Sequence, residues 1–173
     1  MNEQDSQIRT AILRTAVEDW LEQENPFSDI VFKDRIIDKV TEGLSDEIDE
    51  NDVEYVWKLM TDDGYFRKRG KSRRITAKEI DEAEDHGVTT PMDEAVQTEI
   101  LRALAEAERE DVKHPEVSRD TLVDQLDSYE TDVIDYNLFY CRSKGWADVD
   151  VYISSNPWES AEITRFGRSV AIA

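Results

Sequence analysis

Met60-Thr61-Asp62-Asp63-Gly64-Tyr65 and Ile75-Thr76-Ala77-Lys78-Glu79-Ile80 bracket the stretch on which the fold turns. Asp63-Gly64 is a helix stop, because glycine enters the left-handed region without a Cβ penalty. Tyr65-Phe66-Arg67-Lys68 reads as a short strand, Arg69-Gly70-Lys71-Ser72 as a turn, and Arg73-Arg74-Ile75 as the returning strand. Thr76 and Glu79 have capping-box spacing, so a helix is expected from there to about Asp85, closed by His86-Gly87.

Upstream, Ile8, Ile12, Leu13, Ala16, Val17, Trp20 and Leu21 fall on one helical face, and Asn25-Pro26 is expected to end that helix. Phe32, Ile36, Ile37 and Val40 mark a second helix, with Gly43 where a C-cap belongs. Val53, Val56, Trp57 and Met60 mark a third, capped by Asp49 or Asn51.

The order then repeats. Thr90-Pro91 reads as the start of a helix with Val96, Ile100, Leu101 and Leu104 inward. Ser118 can cap a helix with Leu122, Val123 and Leu126, and Thr131 one with Ile134, Leu138 and Cys141 inward. Lys144-Gly145-Trp146 parallels Asp63-Gly64-Tyr65. A strand over 149–153, a turn over 154–157, a return at Ala161-Glu162-Ile163 and a last helix capped by Thr164 complete the copy. Ile12-Leu13 matches Ile100-Leu101, Val53-Glu54-Tyr55 matches Ile134-Asp135-Tyr136, and Ile75-Thr76 matches Ile163-Thr164. The spacing changes only across connections, as a structural repeat requires. Two domains are expected, 1–87 and 88–173, of mainly α class with small β-hairpins (α+β).

The chain has 173 residues, 41 acidic and 21 basic, for a net charge of −20. Residues 1–88 hold 23 acids and 13 bases, and residues 89–173 hold 18 and 8, so each half carries −10. This excludes a generally basic nucleic-acid binder. With 39% apolar residues the acidity reads as a solvated surface over a true core. An even acidic coat with 13 Arg against 8 Lys resembles the surfaces of proteins from salt-accumulating halophiles. An acidic protein that binds a basic partner is the other reading. No apolar run approaches the roughly 20 residues of a membrane span, so no membrane association and a cytoplasmic location are expected.

Three helices, a hairpin and a helix opening at Ile-Thr resemble the winged helix-turn-helix fold, here in two tandem copies. The phrases that carry it are Met60 to Tyr65 with Ile75 to Ile80, and Ser143-Lys144-Gly145-Trp146 with Ile163-Thr164-Arg165-Phe166-Gly167. The first copy has Ile80 near the family's usual glycine. The resemblance implies a DNA-binding regulator of transcription, in which the third helix enters the major groove and the wing touches phosphate. Members of this fold also serve as protein-interaction modules, so a protein partner or self-association is the alternative.

On that reading the first third helix offers Asn51, Tyr55 and Lys58, among Glu50, Asp52 and Glu54. The second offers Tyr136 and Asn137, beside Asp132 and Asp135. Both helices are acidic, which opposes phosphate. The first hairpin differs. Arg67, Lys68, Arg69, Lys71, Arg73 and Arg74 place six bases in eight positions with no acid. They read either as a phosphate clamp or as a wing docked on acidic protein surface, its own or a partner's. Tyr65 and Phe66 are expected to pack inward. Trp158, beside the second hairpin turn, is either a partner-binding anchor or a side chain folded back onto the strands.

His86 and His114 fall in connections without metal-ligand spacing, and Cys141 lies on an inner helix face. No phosphate loop, nucleophile elbow or zinc signature occurs. Neither enzymatic activity nor a cofactor is expected.

Overall fold

The computed structural model describes residues 1–69, 72–152 and 157–172. Gly70 and Lys71 of the first expected turn, the last residue (153) of the expected second-copy strand, and residues 154–156 of the turn after it lie outside the described residues. The chain divides into two units. Met1–Glu24 with Ser28–Thr90 form the first, and Asn25–Phe27 with Pro91–Ala173 the second, against the expected boundary at 87/88.

The first unit runs α1 (Glu3–Leu21), β1 (Ile30–Val31), α2 (Lys33–Gly43), α3 (Glu50–Asp62), β2 (Arg67–Arg69), β3 (Ser72–Arg74) and α4 (Ala77–Asp85). The second runs α5 (Glu94–Glu110), β4 (Val117–Ser118), α6 (Arg119–Gln125), α7 (Thr131–Ser143), β5 (Ala147–Asp150), β6 (Ser160–Ile163) and α8 (Arg165–Ala171). The described residues are thus mainly helical with two small antiparallel sheets, ordered β1-β3-β2 and β4-β6-β5. The short strands β1 and β4 are additions to the sequence reading. Two residues are too few to show a period, and these strands exist only through pairing with β3 and β6.

Apolar spacing sets each core. Ile8, Ile12, Leu13 and Val17 of α1 bury against Ile36, Ile37 and Val40 of α2 and Val53, Val56, Trp57 and Met60 of α3. In the second unit Ile100, Leu101 and Leu104 meet Ile134, Leu138 and Cys141. Each fully buried aliphatic side chain contributes about 1.5–3 kcal/mol. The buried Asp19 of α1 accepts from Arg35 at 2.8 Å and Lys39 at 3.0 Å, tying α2 to α1.

The helix ends repeat at atomic level. Tyr65 N–H donates to the Met60 carbonyl and Trp146 N–H to the Cys141 carbonyl, both at 2.9 Å. Each closes a helix around a left-handed glycine, Gly64 at φ 84° and Gly145 at φ 74°. Asp49 caps α3, Ser118 α6 and Thr164 α8.

Several ends differ from expectation. The strand expected over 149–153 is β5, Ala147–Asp150, because its pairing with β6 ends at Asp150 opposite Ser160. Gly43 is the last residue of α2, with Leu44 at its C-cap. α1 stops at Leu21, before Asn25-Pro26. α5 starts at Glu94 behind the cap Asp93, because the 91–93 segment is held by Asn137 instead of winding into the helix. Thr131 is the first residue of α7, with Glu130 at its N-cap.

In the second unit the backbone approaches closely at Gly167, where a Cβ would stand 1.9 Å from the Trp146 carbonyl oxygen. That carbonyl accepts from Thr164 N–H at 3.1 Å. Counting from Thr76, the matching residue of the first unit is Glu79, not Ile80. The side chain of Glu79 is wholly buried and takes the carbonyl's place as acceptor. It receives Thr76 N–H at 3.1 Å, the Thr76 hydroxyl and Phe66 N–H. Phe66 turns to φ 58° to present that N–H, and its ring stacks on Trp57 at 4.7 Å. Burial pushes the Glu79 carboxyl above its ordinary range, against the lowering effect of its N–H donors.

Candidate nucleic-acid interface

The basic hairpin stands on a fixed base. Tyr65 and Phe66 are buried, as expected from sequence. The Tyr65 hydroxyl donates to Glu82 of α4 at 2.7 Å, Arg9 of α1 donates to both, and Lys78 lies 3.9 Å above the Tyr65 ring. Burial and the Glu82 hydrogen bond push the Tyr65 phenol up to about 12. At its other foot, Ile75 N–H donates to the Asp29 carbonyl at 2.9 Å.

Above this base the strands carry charge. β2 pairs antiparallel with β3, Arg67 opposite Arg74 and Lys68 opposite Arg73. Side chains alternate faces along a strand, so Arg67, Arg69 and Arg74 share one face and Lys68 and Arg73 the other. Cations directly opposite one another repel. One pair is relieved internally, since Arg74 bonds the Asp29 carboxylate. Arg67, Lys68 and Arg69 are exposed. Among the described residues none of the three is paired with a carboxylate. Arg73 is half-buried, and its Nη1 donates only to the Ser72 carbonyl, at 3.4 Å.

Asn51, Tyr55 and Lys58 are all exposed on α3, at the i, i+4, i+7 spacing of one helix face. Tyr55 is 56% exposed, unusually so for a large aromatic. Glu54 on this helix pairs with Lys33 at 3.4 Å.

In the second unit Tyr136 and Asn137 depart from expectation, and Trp158 takes the second of its two expected roles. Residues 134–141 of α7 are all buried, so Tyr136 and Asn137 have no free face to read bases. Tyr136 is 7% exposed and Asn137 wholly buried. Asn137 spends its amide inside the protein. Its Oδ1 accepts from Asp93 N–H at 2.9 Å and Gln97 at 3.0 Å, and its Nδ2 donates to the Pro91 and Val133 carbonyls at 2.9 and 2.8 Å. Asp135, expected at the surface, is buried as a structural acceptor. Arg119 grips it with two bonds, at 3.1 and 2.8 Å, and the Trp158 indole N–H donates to it at 2.8 Å. Trp158 is therefore folded back into the core and is corrected as a partner-binding anchor, because its one polar atom and its ring are both used internally.

Lys71 lies outside the described residues. Among those described, no group of three His, Cys, Asp or Glu is placed to hold a metal ion. No helix there is long and apolar enough to cross a membrane. Cys141 is wholly buried in the core, and that burial pushes its thiol up to about 12. No protein-family model matches this sequence, no curated protein matches it, and no solved structure matches its fold.

Proposed function

We propose that the chain is a pair of winged-helix domains and that the first unit holds the phosphate backbone of DNA through its hairpin. The element order and the strand orders β1-β3-β2 and β4-β6-β5 support the fold reading. The observation that carries the function is the state of Arg67, Lys68 and Arg69. They are adjacent, exposed and, among the described residues, without carboxylate partners, in a chain with 41 acids to 21 bases. Among the described residues of the hairpin only Arg74 is paired with a carboxylate, so docking onto the protein's own acids accounts for little of the described cluster. Asn51, Tyr55 and Lys58 are the groups of α3 available for base contacts. The second unit then has a supporting role, its α7 being committed to the core.

Salt dependence of binding to duplex DNA tests this. With Arg67, Lys68, Arg69 and Arg73 as phosphate contacts, log affinity falls against log salt with a slope of about −3 to −4. Each Arg→Gln or Lys→Gln change among the four reduces that slope by about 0.9. Arg74→Gln leaves the slope unchanged and lowers stability instead. A four-fold Gln variant that binds DNA as the parent does refutes the proposal. The second reading, a winged-helix module for protein partners, draws on the acids of α3. Binding to a partner that persists or strengthens in molar salt, without DNA binding, favours it.

A further inference from the structure

The C-terminal half of α5 and the last turn of α8 enclose a groove of about 680 Å³, within the second unit. That is the size of a small-ligand site. Ala105, Val112, Ala171 and Ile172 give it an apolar lining. Val112 is 75% and Ile172 84% exposed, so two large aliphatic side chains stand in water at its rim. The groove is braced by Arg168 of α8, which forks onto Glu108 of α5 with two bonds of 2.5 Å. Two further guanidiniums line it, Arg102 and Arg109, together with the exposed Glu106. The two arginines are seven residues apart on one face of α5, about 10 Å along the axis. Among the described residues neither is paired with a carboxylate, despite the excess of acids in the chain.

We propose that this groove binds a small amphipathic carboxylate, an aliphatic or aromatic acid of about eight to ten carbons. Its apolar body covers Val112 and Ile172, and its carboxylate is held by Arg102 or Arg109. The lining holds three cations, Arg102, Arg109 and Arg168, against two carboxylates, Glu106 and Glu108, and this excess favours a small anion over a second copy of the chain. In a two-fold antiparallel pairing of α5 about the groove, Arg102 of each copy meets Arg109 of the other, placing like charges together. An anion with an apolar body relieves both the exposed aliphatic surface and the unpaired cations.

The test is calorimetric titration of the full chain with octanoate, octanol and acetate. The proposal expects saturable one-site octanoate binding, with octanol and acetate each at least tenfold weaker. Arg102→Gln with Arg109→Gln should weaken octanoate at least tenfold, and Ile172→Asp should do the same. All three side chains are exposed, and unchanged circular dichroism checks that the variants fold. Failure of octanoate to bind, equal binding of octanol, or full affinity in the double variant overturns the proposal. Octanoate binding accompanied by concentration-dependent dimer formation also overturns it, and assigns the groove to a second copy.

Discussion

Replacing Glu79 by alanine should damage the base of the basic hairpin more than any change on its strands. The carboxylate is the acceptor for Phe66 N–H just before β2 and for Thr76 N–H just after β3. It therefore fastens both feet of the hairpin to α4. In Glu79→Ala the buried Phe66 N–H loses its partner, which costs about 1–3 kcal/mol. Loss of the reciprocal cap at Thr76 adds about 1 kcal/mol. The sum is about 2–4 kcal/mol, a large share of the 5–15 kcal/mol that stabilises an ordinary domain. Phe66, at φ 58°, should then leave its stack on Trp57. Urea unfolding at neutral pH measures the loss, and amide exchange at Phe66 locates it.

Glu79→Gln separates shape from charge. The raised carboxyl of the native state binds its proton at a pH where the unfolded chain, near 4.5, has released it. The native state holds more protons in that window, so stability falls as pH rises from about 4.5 through the raised value. Glu79→Gln should flatten that slope. A loss below about 1 kcal/mol in Glu79→Ala, with Phe66 exchange unchanged, refutes the reasoning. So does a pH profile that Glu79→Gln leaves intact.

Three further outcomes follow from the packing and charge. Trp158→Phe removes one donor to Asp135 and should cost about 1–3 kcal/mol in urea unfolding, whereas Asp135→Ala strands Arg119 and the indole together and should cost about 3–5 kcal/mol. Gly167→Ala drives a Cβ into the Trp146 carbonyl and should cost about 1–3 kcal/mol or more, while Gly43→Ala, which meets nothing within 4 Å, should stabilise by up to about 1 kcal/mol. The halophile-like charge predicts that dialysis from molar salt to tens of millimolar loosens the protein, as self-repulsion loses its screening at a Debye length that grows from about 3 Å toward 30 Å. A melting temperature constant across that range refutes the last expectation.

Much of this molecule is legible along the chain, because its elements rest on local chemistry. The apolar faces of α1, α3, α5 and α7, the stops at Gly64 and Gly145, and the caps at Asp49, Ser118 and Thr164 need only residues within a turn of one another. The hairpin cluster needs nothing but its own eight positions. The groove beside α5 is different, since Glu108 and Arg168 stand 60 residues apart and nothing local announces their meeting. Strands β1 and β4 are equally hidden, being two residues long and defined by distant partners.

The repeat shows where local reading ends. Val53 and Ile134 occupy matching positions and both are fully buried. Tyr55 and Tyr136 also match, yet one is 56% exposed and the other 7%. A helix period fixes which side chains share a face. It does not say how many of that helix's faces will be covered. Sequence alone therefore determined two mainly helical units, their acidic coat and one basic hairpin. Tertiary packing decided that α3 keeps a free polar face and α7 does not, and that Asn137, Asp135 and Trp158 serve the core. A polar group closed off from water must find its hydrogen bonds within the fold.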